Sequence, residues 1–335
     1  MATHRTVGLV VLFNHNYENN IPIIKRLYKK RFPNLRILMP FYYGNDDEVI
    51  GVFGSSFTFQ AYIAQSREEL LRMGCDDLLI IGDDLLLNPD IDALNLHEKL
   101  NIPGGSFYID KVENVSECSY YRPLLEADRF SPYIPGLDSS ANRNVPSYEE
   151  AYKILSEKGL INTTKLSKWK PFYPSFLPFS FASLHENYKI LKARVYHLLK
   201  TLQYKLRPVR MPYPYIFGYS DILLIPRERL LDLCLYLEPF ASWNMFVEMA
   251  IPTAIMLLPD TNVCFAEGTS YKTGNVWYPQ HPDHFTKING LINNLLQKAH
   301  EIESLGSFFP KEYLYLHPVK LSRYKKHHDL PVTSQ

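Results

Sequence analysis

Two acids follow an apolar run in the segment Cys75 to Pro89, C-D-D-L-L-I-I-G-D-D-L-L-L-N-P. Leu78 to Ile81 is short and wholly apolar, the pattern of a buried strand. Gly82 supplies backbone freedom after it, and Asn88-Pro89 marks a turn. Asp83 and Asp84 are thus expected at the exit of a central strand, where open α/β sheets bind their ligands. Adjacent carboxylates repel unless they stay solvated or share a positive partner. A hard divalent cation is such a partner, because Mg²⁺ and Mn²⁺ prefer oxygen ligands and bring substrate phosphates with them.

The elements before this pair have the order needed to place it. Val7 to Phe13 is rich in β-branched residues and reads as a buried strand. Asn14 to Asn20 is a polar loop at its carboxyl end. Pro22 to Arg31 reads as a helix with Pro in its first turn and basic residues at its end. Leu35 to Met39 is a second strand, Val49 to Phe53 a short third, and Phe57 to Met73 a helix ending at Gly74. Strand alternating with helix predicts an α/β fold with a mixed, mostly parallel central sheet flanked by helices. The absence of G-x-G-x-x-G argues against a dinucleotide dehydrogenase, and no Gly-rich, Lys-bearing phosphate loop is present.

Beyond Ile91 to Leu100, a short helix, the chain changes character. Residues 106–211 are Pro-rich and polar, and read as a helical and loop insertion. Ser147 and Glu150 form a capping-box pattern opening a helix to about Lys158. Leu184 to Leu206 is a longer helix with Leu191, Val195, Leu198, Leu199 and Leu202 on one side. Lys189, Lys192, Arg194, Lys200 and Lys205 lie on the other, followed by Arg207 and Arg210. Such a face is usually solvated; a peripheral membrane contact near an anionic acceptor is the sharper reading. Residues 169–181 (W-K-P-F-Y-P-S-F-L-P-F-S-F) read as an ordered aromatic loop. Tyr215 to Pro226 returns to strand logic, and Arg227 to Leu237 is a helix. Ser242 is read as the cap of a helix ending near Pro252, Ala254 to Leu258 as a last strand, and Thr269 to His284 as a loop holding His281 and His284. Ile288 to Ile302 is a helix, and residues 323–335 form a basic tail.

A strand followed by Gly82-Asp83-Asp84 in an α/β N-terminal half resembles the DxD-type site of GT-A glycosyltransferases. This chain has G-D-D in place of D-x-D, which is similar to the x-D-D form in which the last Asp ligates the metal. The resemblance implies Asp84 as metal ligand and Asp83 beside the ribose or behind the ligand. It implies His317 as a further ligand and Lys320 against the diphosphate, in the order H-P-V-K. Asn14, Asp83 and Lys320 are the implied donor-binding positions. Glu248, with Glu238 second, is the implied acceptor-side carboxylate. The implied organisation is a nucleotide-sugar-binding half at 1–105 and an acceptor-binding, catalytic half at 212–322. The implied activity moves a sugar from a nucleoside diphosphate donor, UDP by prior, to a hydroxyl of a glycan or glycolipid, with Mn²⁺ or Mg²⁺. The G-D-D turn of RNA-dependent polymerases is set aside, because nothing else in 335 residues supplies their further carboxylate motifs. A sugar-nucleotide pyrophosphorylase would need a Gly-rich first loop, whereas this one reads N-H-N-Y-E-N-N. A non-catalytic α/β interaction protein stays the other alternative.

Composition agrees with an enzyme of this kind. With 46% hydrophobic residues the chain can bury a sizeable core, and a net charge of +1 argues against a general nucleic-acid binder. The 24 tyrosines suit packing and, secondarily, sugar stacking. None of Cys75, Cys118, Cys234 and Cys264 forms a C-x-x-C pair, so neither zinc nor redox chemistry is suggested. With no signal-like or 18-residue apolar segment, a cytoplasmic protein with free thiols is expected.

Overall fold

A computed structural model describes residues 5–115, 130–132, 144–160, 211–276, 282–299 and 301–321, with single positions between 187 and 206. The first strand, β1 (Val7–Leu12), is buried at all six positions. Its alternation feeds two cores. Val10 and Leu12 join one apolar cluster, and Val7, Leu9 and Val11 the other. A strand covered on both faces has this pattern.

Around β1 lie β2 (Leu35–Pro40), β3 (Val49–Val52), β4 (Asp77–Gly82), β6 (Phe107–Ile109), β9 (Ile222–Pro226) and β10 (Val263–Phe265). They form a seven-stranded sheet of order β10-β6-β9-β4-β1-β2-β3. All neighbours are parallel except β9, which runs antiparallel to both β4 and β6. The expected mostly parallel, mixed central sheet is what the chain forms. The antiparallel strand matters for function: the start of β9 comes to the same sheet edge as the carboxyl ends of β1 and β4.

A second sheet sits beside this edge. There β12 (Tyr313–His317) pairs with β11 (Lys272–Asn275) and with the short β5 (Leu86–Leu87) that follows the acid pair. A two-stranded ribbon joins β7 (Val112–Glu113) to β8 (Phe217–Gly218). The stretches expected as separate halves therefore interleave: β9 enters the sheet between β4 and β6. Likewise β6, inside the stretch 106–211 read as an insertion, is a strand of the central sheet. Most of the remainder of that stretch lies outside the described residues, as does the basic tail.

Helices among the described residues include α1 (Ile21–Tyr28), α2 (Phe59–Gln65), α3 (Arg67–Leu71), α4 (Leu96–Leu100), α5 (Tyr148–Glu157), α6 (Leu230–Ser242), α7 (Val247–Leu257), α8 (Pro282–Lys298) and α9 (Leu305–Phe308). The capping box at Ser147 and Glu150 forms as expected. Three readings are corrected. Phe57 to Met73 is not one helix, because Ser66 leaves helical geometry between α2 and α3. Ser242 caps nothing; it is the last residue of α6, and its Oγ donates to the Pro239 carbonyl at 2.8 Å. Ala254 to Leu258 is no strand but the second half of α7, which runs through Pro252. A helix buried at every position but Glu248 carries no polar stripe to mark its period. The loop from Thr269 to His284 also contains β11 and the start of α8.

Candidate active site

The acid pair is held by its surroundings before any ligand is considered. The buried Tyr28 hydroxyl of α1 donates to the Leu85 carbonyl at 3.1 Å and accepts from the Leu87 amide at 3.2 Å. Arg31 donates to the carbonyls of Asn88 and Ile91. Asn88, fully buried, donates its side-chain amide to the carbonyls of Lys311 and Tyr313 and its backbone amide to Leu314. The turn after β4 is thereby tied to the strand that carries His317. Each such bond is worth about 1 kcal/mol net, so the turn is fixed by several. Gly82 has no left-handed backbone, contrary to the expectation of conformational need. A Cβ there would lie 3.5 Å from Asp84 Oδ1 and 3.8 Å from Asp221 Oδ1, so the missing side chain leaves the space between two carboxylates.

Asp84, His317 and Lys320 come together from positions more than 230 residues apart. His317 Nε2 lies 3.1 Å from Asp84 Oδ1 and 3.8 Å from Asp221 Oδ2. The Lys320 ammonium donates to Asp84 Oδ2. The Val319 amide donates to the Asp84 carbonyl at 2.6 Å, clamping the two loops. His317 Nδ1 lies 2.8 Å from the Tyr219 hydroxyl, and Tyr219 stacks on Tyr315 with ring centres 6.0 Å apart. A hydrogen bond at Nδ1 fixes the ring and aims Nε2 at the carboxylates.

Asp83 turns to the other side. Its Oδ1 accepts from the Asn14 amide at 3.2 Å and the Asn14 side chain at 2.8 Å. The ends of β1 and β4 are thus joined by the two residues expected beside a donor. Sequence reading missed three residues here. Asp221 and Tyr219 belong to F-G-Y-S-D before β9, and Asp110 follows β6. The Tyr315 hydroxyl donates to Asp110 Oδ2 at 2.6 Å. An acid at the end of an apolar strand was the available signal for Asp110, but β6 itself is only three residues long.

Four carboxylates against two cationic side chains set the electrostatics. Burial pushes Asp83 up to about 6, and the Asp84 charge adds to the rise while Asn14 opposes it. Burial likewise takes Asp110 to about 6 against the Tyr315 hydrogen bond. Asp221 is raised by burial, with His317 pulling it back. Burial would raise Asp84 too, but His317 and Lys320 outweigh it and hold Asp84 well below the usual carboxylate range. His317 is raised: Asp84 and Asp221 outweigh a burial penalty that favours the neutral ring.

The expected metal can be tested on these donors. Adjacent ligands of an octahedral ion with bonds of about 2.1 Å lie about 3.0 Å apart. At 3.1 Å Asp84 Oδ1 and His317 Nε2 are hydrogen-bonded to each other, and they are the two donors that would turn to such an ion. Among the described residues no three His, Cys, Asp or Glu side chains make a ready-made metal centre.

The remaining expected residues lie elsewhere. Glu248, half-buried, is in the first turn of α7, whose buried residues join the apolar cluster on the sheet face opposite Tyr219. Its helix approaches the site's strand closely: Thr253 Oγ1 accepts from the Ile216 amide at 3.0 Å, and a Cβ on Gly218 would lie 2.8 Å from Pro252. Glu238, on α6, is ion-paired with Arg67, the ordinary structural use of such a residue. His284 Nε2 contacts the Asn275 carbonyl at 2.7 Å, and His281 lies outside the described residues.

No protein-family model matches the chain, and no curated protein matches it in sequence. Among solved structures, a galactosyltransferase, LgtC, in complex with donor and acceptor sugar analogs is similar at 8% identity and a TM-score of 0.30, over 84% of this chain and 83% of that one. A likeness so remote does not bear on what this chain does. Among the described residues no helix is long and apolar enough to cross a membrane.

Proposed function

We propose that this chain is a metal-dependent glycosyltransferase of the GT-A kind, using a nucleoside diphosphate sugar, with UDP the first base to test, and a glycan or glycolipid hydroxyl as acceptor. The observation that carries the reading is the convergence of Asp84, His317 and Lys320 at the carboxyl edge of the sheet, beside the Asp83–Asn14 pair. An excess of carboxylates there repels a diphosphate unless a cation intervenes. A bound Mn²⁺ or Mg²⁺ would act as a Lewis acid on the diphosphate oxygens.

The chain's own groups have separable tasks in this reading. Asp84 and His317 hold the ion, with Tyr219 orienting His317. Lys320, whose side chain is 46% exposed, has a flexible stem that would let its ammonium turn from Asp84 to a phosphate. Asp83, steadied by Asn14, accepts hydrogen bonds from the ribose. Glu248 is the first carboxylate to test as acceptor of the acceptor's proton, although its helix packs on the sheet face opposite Tyr219. Incubating a panel of nucleotide sugars with the protein and Mn²⁺, and assaying release of the free nucleotide, tests the reading. Slow, metal-dependent hydrolysis of one donor is expected. Hydrolysis of none, together with no thermal stabilisation by any nucleotide, would favour the non-catalytic alternative.

A further inference from the structure

We propose that the helix within residues 187–206 docks the protein on an anionic lipid surface. The described positions 187, 188, 191, 192, 195, 198, 199, 202 and 206 are all helical. Every large apolar side chain described on this helix is exposed. Leu191, Val195, Leu198, Leu199, Leu202 and Leu206 are between 43 and 80% exposed, and Tyr188, one turn before Leu191, is 64% exposed. Spacings of three and four residues put them on one stripe. Elsewhere the described exposed apolar residues stand singly or in pairs, such as Phe41 with Phe53 and Leu231 with Leu235. A stripe running about five turns, from Tyr188 to Leu206, calls for a cover.

Charge identifies the occupant. The chain as a whole is nearly balanced, at 36 basic and 35 acidic residues. Between 184 and 210 the sequence holds seven Lys and Arg and a single acid, Glu186. Lys192, helical and exposed, lies beside the stripe, one residue after Leu191. Basic residues flanking an apolar stripe suit a helix lying in the headgroup layer, with Lys and Arg stems reaching outward to lipid phosphates. A second copy would instead bring like charges together. The preceding stretch 169–181 carries Trp169, Phe172, Tyr173, Phe176, Phe179 and Phe181, residue types favoured at membrane interfaces. Because no described helix can span a bilayer, the contact is peripheral. This inference stands apart from the chemistry of the Asp84 cluster.

The test is co-sedimentation of the full chain with vesicles of phosphatidylcholine, with and without phosphatidylglycerol. Binding to the anionic vesicles is expected to exceed binding to the neutral ones by at least about tenfold and to fall at high salt. Leu191→Glu with Leu199→Glu should lower it at least about tenfold, and Lys192→Glu about fivefold or more, with thermal melts unchanged because these side chains are exposed. Three results would overturn the proposal. One is no vesicle binding. Another is binding that is indifferent to lipid charge and survives the double substitution. The third is self-association or capture of an acidic protein, lost in the double variant, without vesicle binding.

Discussion

Strand β4 has a pair of acids at each end, Asp76 and Asp77 where it begins and Asp83 and Asp84 where it stops. At the beginning each acid accepts hydrogen bonds from groups held in place by the fold. Asp77, fully buried, accepts from Arg5 Nε at 2.7 Å and Nη2 at 2.9 Å, and contacts His97 Nε2 at 2.9 Å. Asp76 accepts from the amide and hydroxyl of Thr6. Arg5 also reaches Glu228, before α6. At the other end the partners are a titratable His317, a half-exposed Lys320 and two more crowded acids. The first arrangement holds the start of the strand in place. The second leaves negative charge under-compensated at an open edge, which is what a cation-dependent ligand site needs. Two similar D-D pairs thus differ through their surroundings: strand direction sends one to the closed edge and the other to the edge where the loops gather.

The comparison is broken most sharply by removing one acid at each end. Asp84→Ala should cost about a thousandfold or more in turnover, the scale of losing Lewis-acid stabilisation, with the melting temperature nearly kept. Circular dichroism and donor turnover measured side by side check this. Asp77→Ala should do the reverse. Urea unfolding should show a loss of about 3 kcal/mol, the low end for breaking a buried ion pair, while turnover per folded molecule stays near wild type. The low end is expected because the Arg5 side chain keeps 23% exposure to water.

Smaller effects sharpen the contrast. Glu248→Gln should keep donor affinity and lower transfer about a hundredfold, read by comparing nucleotide affinity with turnover. Unchanged turnover would pass the proton-acceptor role to a carboxylate of the sheet edge. Tyr219→Phe removes the hydroxyl that orients His317, and should weaken Mn²⁺ affinity about tenfold without a comparable change in metal-free stability. At the closed end, hydrogen bonding to Asp77 raises His97 above its ordinary value. A group raised on folding stabilises the protein fully below its unfolded pKa and loses that contribution as pH rises through the folded value. The melting-temperature gap between wild type and His97→Gln should therefore be widest in acid and close toward alkaline pH.

Much of this edge is legible in the sequence because its chemistry is local. An apolar run ending in G-D-D announces acids at a strand exit, whereas His317 and Lys320 are reached only through the resemblance, by the order H-P-V-K. The parallel βαβ opening is readable from periodicity for the same reason. What stays hidden depends on long-range pairing. Asp221 looks like a turn residue until β9 is known to run antiparallel to β4, with Ile222 opposite Ile81. Asp110 looks like loop because three residues of β6 carry too little alternation to mark a strand. The α7 helix misleads in the opposite way: buried on nearly all sides and continuous through Pro252, it lacks the polar stripe that would reveal its period. Neither propensity nor pattern places Glu248 relative to Asp84.

Calorimetric titration of UDP into the protein, with and without Mn²⁺, tests the central claim most directly. Binding at least about tenfold tighter with the metal is predicted, with protons released as the ion takes the His317 nitrogen, and with both effects gone in Asp84→Ala. UDP binding that is equally tight without metal and unaffected by Asp84→Ala would contradict the account.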